Sequence, residues 1–150
     1  MTSLQADGSY SEWRTLAGSG YVGSNDGNST TASFKQPHGL TVAASAGFVY
    51  VADTFNSCIR RVSIATGNTA TVAGTCGLGG YKNSATSGHD ALFNHPHKVT
   101  VDPRNESLIY VAEIECSDGD SPLYAHHLHR FDELRALGTS LLPLALTHHS

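Results

Sequence analysis

The feature that most constrains this chain is internal repetition. Thr15-Leu16-Ala17-Gly18 returns as Thr71-Val72-Ala73-Gly74, 56 residues later. Ala32 to Val42 returns as Ala91 to Val101 at an offset of 59, with Phe34, Pro37, His38 and Thr41 matched by Phe93, Pro96, His97 and Thr100. Val49-Tyr50-Val51-Ala52-Asp53 returns as Ile109-Tyr110-Val111-Ala112-Glu113 at an offset of 60. Offsets that drift by a few residues indicate fixed elements joined by loops of variable length. A chain repeating at this period buries its apolar surface by stacking one unit on the next.

Within a unit the pattern is that of short strands. They are expected at Gly39 to Ala43, Phe48 to Ala52, Ile59 to Ile64 and Thr69 to Ala73. Phe48-Val49-Tyr50-Val51 does not alternate with polar residues, which predicts burial on both faces. Four short strands in a unit of more than fifty residues describe a β-propeller blade. The expected fold is all-β: a partial propeller of about two four-stranded antiparallel blades plus one extra strand. Residues 1–12 read as a tail and 13–18 as the outer strand of a preceding blade. Residues 19–75 read as the first blade with its leading loop. Residues 76–134 read as a second blade with an acidic insertion at 113–124, and 135–150 as an outer strand or tail. Leu128-His129-Arg130-Phe131 matches Ile59-Arg60-Arg61-Val62 at an offset of 69.

The combined motif resembles the NHL-repeat family of β-propellers. It comprises Thr15 to Gly18, the Gly-rich Gly18 to Gly27, Ala32-x-Phe34-x-x-Pro37-His38-Gly39-Leu40, Tyr50 to Asn56 and Ile59-Arg60-Arg61. The resemblance covers roughly residues 13–113 well and 124–131 weakly. It implies a fold that hosts enzymes, sensors and binding scaffolds alike. Pro37, Pro96, Asp53, Glu113 and Asn56 are the repeat-defining positions. A closed propeller needs roughly four to eight blades. Two blades imply a fragment of a longer chain, an assembly such as three copies giving six blades, or docking onto other proteins.

Composition narrows the function classes. The 150 residues are 39% apolar and 15% charged, too apolar for a disordered chain. No apolar run approaches the roughly 18 residues that span a bilayer, and the polar Met1 to Tyr10 does not read as a signal peptide. Residues 1–112 carry seven basic and seven acidic side chains, so the net charge of −4 arises after Val111, in a stretch expected to be a solvated loop. A neutral body argues against nucleic acid, whose phosphates require clustered Lys and Arg.

Cys58 precedes the third strand of the first blade and Cys76 follows the fourth. If Thr66-Gly67-Asn68 is a three-residue hairpin loop, Val62 faces Val72 and Cys58 faces Cys76, within disulfide reach. A two-residue Gly67-Asn68 turn shifts that register, and two reduced thiols are the cytosolic alternative. Cys116 is left without a partner. Asn28-Ser29-Thr30 and Asn105-Glu106-Ser107 fit the N-glycosylation pattern in expected loops. With the disulfide they lean towards an extracellular setting.

His38 and His97 occupy the same place in successive units. In a propeller the first strand of each blade lines the central channel, so both imidazoles are expected near one mouth, where such rings hold zinc. The arrangement resembles the peptidyl-hydroxyglycine amidating lyases. That resemblance implies metal ligands at His38 and His97, although Phe55 lacks the hydroxyl of a catalytic aromatic residue. The structural reading is that both histidines pack at strand starts. Asp53 and Glu113 suit either calcium or the closing of a loop through backbone amides. His127 and His129 alternate onto one face and His126 onto the other; His148 and His149 are terminal. The function expected is a non-enzymatic scaffold binding a protein, a glycan or further blades. The alternative is part of a metal-dependent lyase or hydrolase.

Overall fold

The computed structural model describes residues 14–84, 87–114 and 125–132. Its strands are β1 (Leu40–Ala43), β2 (Phe48–Asp53), β3 (Cys58–Ser63), β4 (Thr69–Ala73), β5 (Pro96–Asp102), β6 (Asn105–Ile114) and β7 (Ala125–Asp132). They form two antiparallel sheets, β1-β2-β3-β4 and β5-β6-β7. Two 3-10 turns interrupt the strands, at Thr54–Asn56 and Gly88–Asp90. The fold is thus nearly all-β, with meander sheets of the kind that build propeller blades.

Both sheets obey one register. Leu40 pairs with Val51 and Thr41 with Tyr50; Val99 pairs with Val111 and Thr100 with Tyr110. Val51 pairs with Arg60 as Val111 pairs with His129. Even the strained backbone repeats. Gln36 (φ 45°) and His95 (φ 52°) are left-handed one residue before the matched prolines.

One face of the first sheet is closed by the second. Ala43, Tyr50, Ala52 and Ile59 form a single core with Phe93, Val99, Ile109 and Val111. Tyr50, Ala52, Ile109 and Val111 are all fully buried, and each such side chain contributes roughly 1.5–3 kcal/mol if large and aliphatic. The opposite face departs from the expected double burial. Val49 and Val51 are only half-buried there, and Leu40 is exposed.

The outer part of that face is covered by residues 19–37. Gly27 and Thr69 exchange backbone hydrogen bonds (3.1 and 2.7 Å), so the segment pairs with the free edge of β4. Beneath it lies the fully buried Arg60. Its guanidinium donates to the Ser33 carbonyl and Asp53 Oδ2 (both 2.9 Å) and to the Asn25 carbonyl and Asp26 Oδ1 (both 2.8 Å). It also stacks 5.1 Å from the centre of the Phe34 ring. A buried charge is tolerable only with such partners.

Several expectations need correction. Residues 14–18 are irregular rather than a strand. A strand needs a ladder partner, which here would be a preceding blade; Gly18 N–H donates instead to Ser29 O. The hairpin between β3 and β4 is not a three-residue loop. Ser63 N–H donates to Asn68 O and Gly67 N–H to Ser63 O, both at 2.8 Å, closing a four-residue loop over 64–67. Gly67 provides the left-handed residue (φ 71°). Val62 therefore pairs with Thr69, not Val72, and a bulge follows at Ile59/Arg60. Glu113 is no member of a solvated loop. It belongs to β6 and is 1% exposed. Asn105 opens β6 rather than lying in a loop.

The Cys58–Cys76 disulfide is nonetheless formed, with Cα atoms 5.1 Å apart. Cys76 lies beyond the end of β4, past the left-handed Gly74 (φ 79°), so the bond joins Cys58 to the turn after the strand and not to a directly opposed ladder partner. Residues 1–13, the core of the acidic insertion (115–124) with Cys116, and 133–150 with Leu141 to Leu146, His148 and His149 lie outside the described residues. So do the side chains of His126 and His127.

Candidate functional site

The two blades approach closely where their first strands begin. A Cβ on Gly39 would lie 2.4 Å from the His97 carbonyl oxygen and 2.8 Å from Lys98 Cα, so only glycine permits this approach. Thr54 Oγ1 donates to the Pro96 carbonyl (2.7 Å) across the same junction. His38 N–H donates to Ala52 O (3.2 Å), which holds the segment leading into β1 against β2.

This approach brings four rings from both blades into contact. The His38 and His97 ring centroids are 4.6 Å apart, edge to face. His38 also meets Phe55 at 6.4 Å, and Phe55 meets His95 at 5.3 Å. The line continues through polar groups. His95 Nδ1 lies 2.9 Å from Asn94 Oδ1, and Asn94 Nδ2 donates to the Tyr81 hydroxyl (2.6 Å). His38 is exposed, as are Phe55 (40%) and Tyr81 (49%). The result is a rim of aromatic, imidazole and amide groups spanning both blades. Burial, aided by the neighbouring His38 and Lys98, holds the His97 imidazole below its usual range and favours its neutral form.

The histidines singled out by the repeat are thus neighbours. Neutral imidazoles are competent metal ligands, but protein zinc sites use at least three protein ligands. Among the described residues, no group of three or more His, Cys, Asp and Glu is placed to hold a metal. The pair does not by itself fit a catalytic zinc centre. Asp53 and Glu113 do not converge on one site. Asp53 accepts from Lys35 N–H, Asn56 Nδ2 and Arg60 (2.8, 2.8 and 2.9 Å), and Asn56 donates on to Gly23 O (2.7 Å). Glu113 accepts from Asn94 N–H (2.9 Å) and faces His129. Pro37 and Pro96 sit at the entrances to β1 and β5, Pro96 buried and Pro37 exposed.

Sequence reasoning missed His95, Asn94 and Tyr81. The repeat aligns His95 with Gln36, so no shared chemistry marks it. Only the left-handed backbone and the crossing of the blades bring it to the rim.

Beside the rim, the open side of β1 and β2 forms an apolar cleft of about 270 Å³ floored by Leu40, Val49, Val51 and Val62, with Leu16 and Phe34 on its walls.

Residues 34–62 match the family model of the NHL repeat. Over 97 residues the chain is 33% identical to SUPPRESSOR OF QUENCHING 1, a chloroplastic protein of Arabidopsis thaliana, covering 65% of this chain and 9% of that protein. It is 34% identical over 93 residues to human NHL repeat-containing protein 2, covering 61% of this chain and 12% of the relative. The chain therefore spans only about a tenth of the length of these relatives. Among solved structures, a Bacteroides thetaiotaomicron structural-genomics protein of unknown function superposes with a TM-score of 0.64 at 26% identity, over 86% of this chain and 28% of that one. An auxiliary nutrient binding protein from the same organism shares the fold, with a TM-score of 0.51 at 23% identity over 70% and 27% of the two chains. The similarity is thus to NHL-repeat proteins, and the fold is that of propeller-type blades. This chain carries its NHL repeat at residues 34–62, and the following blade keeps the same register.

Proposed function

We propose that the chain is a non-enzymatic propeller segment that binds a protein or glycan partner along the rim from His38 to Tyr81. The observation that carries this reading is the continuous line of partly exposed ring and amide groups contributed by both blades. Aromatic faces and fixed amides are what such partners use for contact area and orientation. Relatives named for the NHL repeat support a scaffold role. No helix among the described residues is long and apolar enough to cross a membrane. The reading requires no cofactor.

The test is a glycan array and a displayed peptide library, each probed with the wild type and with His38→Ala/Phe55→Ala. Binding by the wild type that falls tenfold or more in the variant supports the reading. Equal binding by both rejects it. The alternative, a metal-dependent lyase or hydrolase, is decided separately. Stoichiometric zinc in the wild type that is lost in His38→Ala/His97→Ala would replace the scaffold reading.

A further inference from the structure

The blade junction within this chain is a template for what belongs on its open face. Val99, Ile109 and Val111 line the side of the second sheet that packs on the first. Their repeat equivalents Leu40, Val49 and Val51 line the apolar cleft on the far side of the first sheet. Val99 is 5% exposed, whereas Leu40 is 65% exposed. Among the described residues no element covers Leu40 or Val42. The same surface is thus filled in one blade and open in the other.

The template also specifies the occupant. The face that fills the second blade's surface presents Ala43, Tyr50 and Ala52, with Gly39 where the backbones touch. The chain's own second blade keeps part of this set, Tyr110 and Ala112, on its far side. At the two remaining positions it differs. Lys98 stands at the place of Gly39, and the half-buried Asp102 at that of Ala43. In the template a Cβ at the glycine position would meet the facing carbonyl oxygen at 2.4 Å. A carboxylate at the alanine position would be buried without a counter-charge.

We infer that the open face of β1 and β2 is a docking surface for another NHL-type blade, one that presents glycine at its strand start and an Ala-Tyr-Ala face. A second copy of this chain does not satisfy it. Such an interface is heterologous, each blade offering a different face to its neighbour.

The test is the solution mass of the full chain by light scattering across a range of concentrations. Six forms are compared: wild type, Lys98→Gly/Asp102→Ala, Lys98→Gly/Asp102→Asn, and each of these three combined with Leu40→Glu. The Asn version keeps an acceptor for the turn in which Asp102 Oδ1 takes the Arg104 N–H. The wild type is expected to stay monomeric. At least one of the Lys98→Gly pairs is expected to associate, and Leu40→Glu to abolish that association. A wild-type oligomer that Leu40→Glu dissolves would show that a second copy is the occupant and overturn the inference. Lys98→Gly pairs that fold, as judged by an unchanged circular dichroism spectrum, yet remain monomeric would overturn it as well.

Discussion

Arg60 and His129 occupy the same station in successive blades. Arg60 pairs across the ladder with Val51, and His129 with the equivalent Val111. Arg60 contacts Asp53 at 2.9 Å; His129 Nε2 lies 3.3 Å from Glu113 Oε2. Each cationic or imidazole group lies against a matched phenylalanine, Phe34 at 5.1 Å and Phe93 at 5.2 Å. The carboxylates in turn accept the matched backbone amides of Lys35 and Asn94. Each station ties the loop leading into its blade to the middle of the sheet.

Replacing Arg60 with Met removes one partner of a fully buried pair and strands Asp53. The expected loss is about 3–5 kcal/mol, because the carboxylate keeps its desolvation cost without the attraction. Urea denaturation of Arg60→Met measures this. A change below about 1 kcal/mol would mean that the network contributes little beyond packing.

The Cys58–Cys76 bond closes a loop of 18 residues in sequence separation. Constraint of the unfolded chain by a loop of this size is worth about 3 kcal/mol. The Cys58→Ala/Cys76→Ala variant is expected to lose stability of that order. In the oxidised wild type, thiol titration should detect Cys116 alone until the chain is reduced. Three reactive thiols before reduction would contradict the assigned bond.

Gly39→Ala forces a Cβ into the His97 carbonyl. Both contacting groups are backbone, so neither yields cheaply. Destabilisation of about 1–3 kcal/mol is expected, together with faster hydrogen exchange in β1 and β5. Unchanged exchange in both strands would show that the blades do not meet at this point.

His97 gives a pH dependence with a definite sign. Its pKa is lowered in the folded chain by burial and by His38 and Lys98. The unfolded chain therefore binds more protons in the window between the folded and unfolded values. Stability falls as pH drops below the ordinary imidazole range and levels off below the folded value. Thermal melts from about pH 7.5 to about pH 5 should show a shallower fall in His97→Gln than in the wild type. Identical slopes would contradict the assignment.

The strands were legible because apolar and β-branched runs are separated by turn residues, and the two copies reinforce each other. The predicted and observed spans of β1 to β4 differ by a residue or so at their ends. The disulfide pairing was legible, but its register argument was not. Turn composition does not reveal that Gly67 is the last residue of a four-residue loop, nor that a bulge follows. The Arg60 network was hidden for another reason. Its acceptors lie as far away as Asn25, and an arginine in a strand carries no local mark of burial. Glu113 misled in the same way, since an acid at the start of an acidic run resembles its solvated neighbours. The rim was half legible. The repeat pointed to His38 and His97, whereas His95 and Tyr81 reach it only through the backbone approach at Gly39.

The most direct test of the account uses one pair of equivalent positions. Leu40→Cys and Val99→Cys are made separately in a Cys116→Ser background, and their rates of thiol labelling are compared in dilute, non-denaturing buffer. The two side chains share a place in the repeat but are 65% and 5% exposed. Fast labelling at 40 with strong protection at 99, abolished by denaturant, is the predicted result. Equal rates at the two positions would contradict the claim that one blade face is filled by its neighbour and the equivalent face left open.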